Sequence, residues 1–442
     1  MSEPKPIRPK VRDAILQSLR AGVVPSRGLE HVQVGRAREL EALLEDVQRV
    51  ADGGSSVRFV IGAYGSGKTF FLNLVRQVAQ EKRLATVHAD LSPDRRLQAS
   101  GGQGRALYAE LMHSLSTRSK PGGGALGALV ERFVTGALVG AREHGASPTE
   151  AIEERLAHLS EMVGGYDFAR VIETYWRAHD GGDEDLKAAA VRWLRAEYST
   201  KTEAREALGV RVIVDDSSLY EHLALMARFT RLAGYQGLLV CLDEMVNLYK
   251  LASGRARSAN YERVLAILNG CLQGTDEGLG FLFAGTPEFL TDPRRGLCSY
   301  PALESRLAEN TFAGGALVDL SGPVLRLQSL TPEELFLLLG NIRHVQASGD
   351  PERYLLPDEG LQAFMTHCSE VIGAAYFRTP RSSVKSFVQL LAVLEQNPGA
   401  DWRELVGRAQ LEDERNPDLE PLEADDQDDE GAADDLASFR LP

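Results

Sequence analysis

The chain has 442 residues, 43% hydrophobic and 25% charged, which is the composition of an ordinary globular protein with two or three domains. Its net charge of −14 lies almost entirely in Glu412–Asp435, which holds thirteen acids and one base, so the nearly neutral remainder does not exclude nucleic acid as a partner. The sequence has no run of roughly 18 apolar residues, no apolar leader and no closely spaced cysteine pair, which argues against a membrane span, a signal peptide, a zinc site and a disulfide framework.

Two amphipathic helices and a strand are the first predicted elements. Apolar residues recur at helical spacing in Val11–Leu19 and in Leu40–Val50, and a glycine pair ends the second helix. Val57–Ile61 has the branched and aromatic side chains of a short buried strand, and it runs directly into a glycine-rich turn. The helical pattern resumes at Phe70–Ala79.

The turn after this strand, Gly62–Thr69, matches the phosphate-binding pattern G-x-x-x-x-G-K-[ST] at every fixed position. Its glycines let backbone N–H groups point at phosphates, and the next helix adds its unpaired N–H groups and positive dipole end. Lys68 is predicted to neutralise the β- and γ-phosphates, and the Thr69 hydroxyl to bind Mg²⁺. A chance match is disfavoured because the required strand and helix flank the motif. The residues predicted to hold ATP are Gly62, Ala63, Tyr64, Gly65, Ser66, Gly67, Lys68, Thr69 and Phe70.

Farther along, strand and helix patterns alternate on either side of a long helical stretch. Residues 117–216 have helical periodicity and no good strand run, which predicts a helical insertion. The other predicted strands are Leu84–Ala89, Leu238–Leu242, Phe281–Ala284 and Val324–Leu327, and the other helices are Gly104–Leu115, Leu219–Ala233 and Tyr261–Leu272. Because continuous apolar strands alternate with helices, we expect a parallel sheet covered on both faces, followed by the helical stretch Pro332–Leu394.

Two carboxylates, Asp243 and Glu244, follow the strand Leu238–Leu242 directly. Both would emerge at the C-terminal edge of the sheet, where α/β proteins bind ligands. Asp243 is predicted to hold the magnesium shell and Glu244 to polarise the attacking water, although such a pair can also simply cap the next helix. Thr286 follows Phe281–Ala284, and it either orients that water beside the γ-phosphate or is a plain turn residue.

The order of these parts resembles an AAA+ ATPase of the branch that includes origin-recognition and initiator-type proteins. Val34–Arg36 precedes a helix, and then come the P-loop, the Asp-Glu strand, the strand before Thr286 and a helical lid. The resemblance implies that Gly35 and Arg36 pack beside the adenine. It also implies that Thr286 is the first sensor residue and that Arg381, at the start of a lid helix, is the second.

The same resemblance implies an arginine finger that reaches the ATP of a neighbouring subunit. The candidates between the Thr286 strand and the last strand are Arg294, Arg295 and Arg306. Arg306 is favoured because Leu303 and Leu307 would fix its helix. For Arg381 the alternative is a solvated surface base.

Four runs narrow the resemblance to the ATP-binding proteins that accompany helicases in BREX-type anti-phage defence islands, the group called BrxD. The runs are Gly35–Glu39, Val87–Leu97, Ala196–Ala204 and Leu242–Lys250, and the similarity extends from Val11 to about Leu394. It implies a defence-associated ATPase that uses ATP and Mg²⁺, forms a homo-oligomer and acts with a helicase or another defence protein. The four widely spaced cysteines, which we interpret as reduced, predict a cytoplasmic location.

Contact with DNA is left open between two interpretations. Arg95, Arg96 and Arg105 flank the glycine-rich Gly101–Gly104, and such a loop either grips DNA phosphates without reading sequence or is an ordinary solvated turn. Only Asn397–Gln410 separates the lid from the acidic tail, which is too short for the winged helix of initiator-type relatives.

The predicted organisation is an α/β protein: a three-layer parallel sheet of the AAA+ P-loop type with a helical insertion and a C-terminal helical lid. The predicted segments are an N-terminal helical segment (1–30), the first part of the core with the P-loop (31–116), the insertion (117–216), the second part of the core (217–329), the lid (330–410) and the acidic tail (411–442). The tail is predicted to be disordered because it is too charged and too poor in large apolar side chains to pack.

The expected function is that of an ATP-binding and ATP-hydrolysing protein that loads or regulates a DNA-acting partner through ATP-dependent oligomerisation. One alternative is a signalling ATPase switch in which DNA is incidental. The other is a DNA translocase, which would need a ring of subunits because the chain has a single P-loop.

Overall fold

A computed structural model describes residues 6–312 and 319–409, so the predicted acidic tail lies outside the described residues. Five parallel strands form one sheet in the order β2–β3–β4–β1–β5. They are β1 (Ser55–Ile61), β2 (Ala85–Asp90), β3 (Leu238–Asp243), β4 (Leu279–Gly285) and β5 (Val324–Arg326). Each overlaps a predicted strand, and the prediction of an α/β fold with a parallel sheet is confirmed.

Helices account for most of the remaining described residues. In chain order they are α1 (Pro9–Arg20), α2 (Ala37–Ala51), α3 (Lys68–Glu81), α4 (Gln103–His113), α5 (Leu126–His144), α6 (Pro148–Ser160), α7 (Gly165–Gly181), α8 (Glu184–Leu194), α9 (Lys201–Leu208), α10 (Leu219–Leu232), α11 (Val246–Lys250), α12 (Gly254–Gln273), α13 (Pro287–Thr291), α14 (Pro301–Leu307), α15 (Pro332–Gln346), α16 (Asp358–Ile372), α17 (Ala375–Arg378), α18 (Pro380–Gln396) and α19 (Trp402–Gly407). In the described ranges none of them is long and apolar enough to cross a membrane.

The sheet is covered on both faces because the side chains of its strands alternate between them. On β1, Phe59 and Ile61 belong to a core that includes buried residues of α4, α10 and α12, whereas Val60 belongs to a smaller core with α2 and α3. Buried residues of α5–α9, in the predicted insertion, join the first of these cores. The boundaries of the predicted domains stay a prediction.

A separate core joins the two ends of the described chain. Ile15 of α1 and the nearby Val32 pack with buried residues of α15, α16 and α18, among them Leu339 and Phe387. Proline in the first turn of α1 and the Thr331–Glu334 capping box of α15 fix where these helices begin. This packing brings the segment between α1 and α2 over the loop that follows β1.

Candidate nucleotide-binding site

The loop between β1 and α3 is a tight turn that requires its glycines. Gly65 and Gly67 have φ of +71° and +84°, in the left-handed region that side chains disfavour. A β-carbon on Gly62 would lie 2.5 Å from Ser66 Oγ, and one on Gly65 would lie 3.2 Å from Thr379 Cβ in the lid. Gly67 is the N-cap of α3, so the first N–H groups of that helix adjoin the loop.

Lys68 folds back over this loop. Its Nζ donates to Gly62 O at 3.0 Å and to Ala63 O at 3.1 Å. The ammonium group is therefore held among backbone groups of the loop. A cation beside backbone N–H groups and a helix N-terminus is an arrangement that suits phosphate oxygens.

Thr69 and Asp243, the two predicted magnesium ligands, are in contact. Thr69 Oγ1 donates to Asp243 Oδ2 at 2.6 Å, although 174 positions separate the residues in the sequence. Asp243 is only 7% exposed, and its Oδ1 accepts the backbone N–H of Glu244 at 2.8 Å. Hydroxyl and carboxylate oxygens are the donors that Mg²⁺ prefers, so this pair fits the metal.

Glu244 has a backbone conformation that is unusual for its residue type. Its φ of +57° lies in the left-handed region, and its side chain is exposed and lines the cavity described below. Strained backbone of this kind persists only where the surrounding structure enforces it, and it clusters at functional sites.

Asp90 is an acidic group at this edge that sequence reasoning missed. It ends β2 opposite Asp243 in the register of the sheet. Partial desolvation of the carboxyl group, together with the negative charge of Asp243, raises the pKa of Asp90 above its ordinary value. The sequence pattern that identified Asp243, an acid directly after an apolar strand, is also present at Asp90.

A cavity of about 410 Å³ opens beside the loop and is of the size that small-molecule sites have. One part is polar and includes Lys68, Thr69 and Glu244. Apart from Phe70 of α3, the aliphatic and proline lining residues come from α1, the α1–α2 segment and the lid: Leu19, Val23, Val24, Pro25, Val32, Val34, Leu330, Leu338, Pro380 and Val384. An apolar slot beside a phosphate loop suits a nucleotide with its base in the slot.

Arg36 lines this cavity but also holds the loop. One of its Nη atoms donates to Ser66 O in the loop and to Gln328 O, 3.0 Å away, beyond β5. Gly35 packs instead on the lid, since a β-carbon there would lie 2.1 Å from Glu334 Oε1. The packing of both residues against adenine stays a prediction.

Arg381, the predicted lid arginine, is also part of the cavity wall. Its Nε donates to Gly22 O at 2.8 Å, and its Nη1 to Tyr64 Oη at 3.4 Å. The side chain therefore links the lid to the α1–α2 segment and to the phosphate loop.

Thr286 and Arg306 do not line the cavity. Thr286 is 1% exposed, and its hydroxyl accepts the N–H of Phe289 at 3.4 Å as the N-cap of α13. Arg306 is exposed and donates to Asn269 Oδ1 at 2.7 Å, while Leu303 and Leu307 are buried beneath its helix. The sensor and finger roles stay predictions.

The basic loop after β2 is tied to the rest of the protein. Arg95 forms an ion pair with Glu110 at 3.4 Å, and Arg105 Nη1 donates to Tyr198 O at 3.4 Å. The carboxylate of Asp216 accepts the backbone N–H groups of Gly102 and Arg105. Two of the three arginines of this loop, for which contact with DNA was one of two interpretations, are thus engaged with their own chain.

Comparison with known proteins matches residues 7–410 to a family model described as BREX system ATP-binding protein BrxC/D. No curated protein matches the chain.

Proposed function

The chain belongs to the BREX system ATP-binding protein BrxC/D family, and we propose that it is a Mg²⁺-dependent AAA+ ATPase. ATP binding and a role in phage defence follow from the family. The proposal of hydrolysis is supported above all by the 2.6 Å contact of Thr69 with Asp243 beside Glu244, at the polar part of the cavity.

In the proposed reaction each polar group has one task. Lys68 neutralises charge on the β- and γ-phosphates, and Thr69 and Asp243 hold Mg²⁺, which when bound adds positive charge at the transferring phosphoryl group. Glu244 accepts a proton from the attacking water, so ATP and water yield ADP and phosphate. Arg381 contacts the phosphates from the lid.

We further propose that ATP drives assembly and that the assembly loads or regulates a DNA-acting defence partner such as a helicase. The cavity wall comes from the core, the α1–α2 segment and the lid, so an occupied site can fix how these parts sit on one another. Arg306 is the proposed finger that completes a neighbouring subunit's site.

The test compares Glu244→Gln with Lys68→Ala in the full-length protein. Glu244→Gln should keep Mg·ATP affinity and slow hydrolysis by roughly 10²-fold or more, because an amide cannot take up the proton. Lys68→Ala should lose ATP binding itself. Turnover and ATP affinity are measured for both, with the exposed Glu262→Gln on α12 as the control for loss of one carboxylate.

Assembly is measured in the same samples from molecular mass with and without ATP and DNA. Glu244→Gln with ATP should form the largest species, and Lys68→Ala should keep the nucleotide-free mass. Near-normal hydrolysis by Lys68→Ala would refute the site, and one mass under all conditions would refute ATP-driven assembly.

A further inference from the structure

Two segments beyond the candidate site concentrate positive charge. Residues 250–257 lead from α11 into α12 and hold three bases and no acid, and residues 292–295 after α13 add two bases and Asp292. Together they carry a net charge of +4. The five side chains form what we call the basic surface: Lys250, Arg255, Arg257, Arg294 and Arg295.

Hydrogen bonds hold the two segments together. Arg295 donates to Leu251 O at 2.8 Å and to Lys250 O at 3.3 Å. Arg257 donates to the same Leu251 O at 2.5 Å and to Ala252 O at 3.1 Å. Two guanidinium groups therefore converge on one carbonyl, and the fold keeps like charges close together.

The four arginines of this surface have little compensation from carboxylates. Burial and the nearby charge of Arg295 lower the pKa of Arg257, and the charge of Asp292 partly opposes that shift. Asp292 directs its Oδ1 to the backbone N–H groups of Arg294 and Arg295 rather than to their guanidinium groups. Within the part of the chain that the structure describes, no carboxylate forms an ion pair with the four arginines, and Arg255 and Arg294 are exposed.

We propose that the basic surface binds the phosphate backbone of nucleic acid without reading its sequence. Clustered arginines without carboxylate partners suit a polyanion, which releases counterions when it binds. None of the five side chains lines the nucleotide cavity, so the surface can bind phosphates of a second molecule while ATP is present. This inference rests on the proposed action on DNA. It moves the contact away from the loop that holds Arg95, because Glu110 forms an ion pair with that arginine, whereas no carboxylate of the described residues pairs with the arginines of the basic surface.

One short helix connects the basic surface to the proposed catalytic glutamate. Helix α11, whose last residue and following carbonyl bind Arg295, begins two residues after Glu244. Bound nucleic acid would thus lie at the end of the helix that begins beside the proposed catalytic glutamate.

The test uses the full-length double variant Arg255→Glu/Arg294→Glu without nucleotide and a fluorescent DNA duplex of mixed sequence. Its Kd should rise roughly tenfold or more, and the slope of log K against log salt should fall by about two, because two phosphate contacts are lost. The control Arg142→Glu/Arg353→Glu makes the same charge change at two other exposed positions and should change the Kd by less than about twofold. Arg255→Gln/Arg294→Gln should show a smaller loss of DNA affinity. This variant replaces the glutamate variant in the test if the glutamate variant does not fold.

Three outcomes would overturn the proposal. An equal loss of DNA affinity in the control variant would mean that binding depends on the net charge of the protein and not on the basic surface. Unchanged DNA affinity with lost binding to polyglutamate would identify an acidic polypeptide as the partner. Unchanged DNA affinity with lost ATP turnover would place these arginines against a neighbouring subunit's nucleotide. Because DNA binding is measured without ATP, failure of the proposed hydrolysis would leave this test intact.

Discussion

Among single residues, Arg36 shows how a side chain beside the nucleotide cavity can act through the loop rather than on the ligand alone. Its guanidinium joins Ser66 O in the phosphate loop to Gln328 O beyond β5. Burial lowers the pKa of Arg36, and the nearby carboxylates Glu39 and Glu334 oppose that shift. An arginine has an ordinary pKa so high that it keeps its charge here. The loop is therefore held by a charged donor at the N-terminus of α2.

Replacing this donor should weaken ATP binding more than it weakens the fold. We expect Arg36→Ala to raise the Kd for ATP roughly tenfold, since hydrogen bonds from charged donors contribute about 1.5–3 kcal/mol. Arg36→Lys keeps the charge without the planar fork and should recover only part of the affinity. Calorimetric titration with ATP measures the change in Kd, and thermal melting without nucleotide measures the change in Tm. A large fall in Tm with unchanged ATP affinity would assign Arg36 a structural role alone.

Fixed spacing explains which site residues the sequence could predict. The P-loop pattern and the strand-end carboxylates are local, so Lys68, Thr69 and Asp243 could be predicted even though the last two lie far apart in the chain. The contact of Arg36 with Ser66 and that of Arg381 with Tyr64 depend on how separate elements dock, and no local pattern encodes them. Asp90 was missed because a lone acid at a strand end is common.

Among the elements, α1 ties the N-terminal segment to the lid. Ile15 is fully buried in a core shared with α15 and α18, and a β-carbon on Gly28 would lie 2.7 Å from its Cδ1. The strands were predictable because buried parallel strands are continuous apolar runs. The docking of α1 on the lid was not predictable from the sequence, because an amphipathic pattern shows that a helix has a buried face but not what covers it.

The packing of α1 should therefore influence ATP binding. Ile15→Ala should lower the free energy of unfolding by about 2–5 kcal/mol through a cavity between α1 and the lid. It should also weaken ATP affinity, because the α1–α2 segment and the lid both line the nucleotide cavity. Ile172→Ala on α7, where the isoleucine is equally buried, is the matched control: similar loss of stability with unchanged affinity. Equal ATP affinities in the two variants would show that α1 only stabilises the fold.

For the whole molecule, charge is divided between a nearly neutral body and a strongly acidic C-terminal segment. Glu412–Asp435 carries thirteen acids and one base, and the proposed basic surface carries the opposite sign. A charged segment tethered to its own protein can reach a local concentration in the millimolar range, on the order of that for short flexible linkers. It would then compete with DNA phosphates for the same arginines. The simpler alternative is that the segment only aids solubility.

Truncation after Gln410 separates these two roles. If the acidic segment competes, the truncated protein should bind a DNA duplex more tightly than the full chain at low salt. That gain should shrink as salt rises, because salt screens both polyanions. Hydrolysis of ATP without DNA should stay nearly unchanged, since no proposed catalytic group lies beyond Gln410. The decisive comparison repeats the truncation in the Arg255→Glu/Arg294→Glu background, where the gain should vanish because the shared arginines are gone. Equal DNA affinity of the full and truncated chains at low ionic strength would leave solubility as the role of the segment.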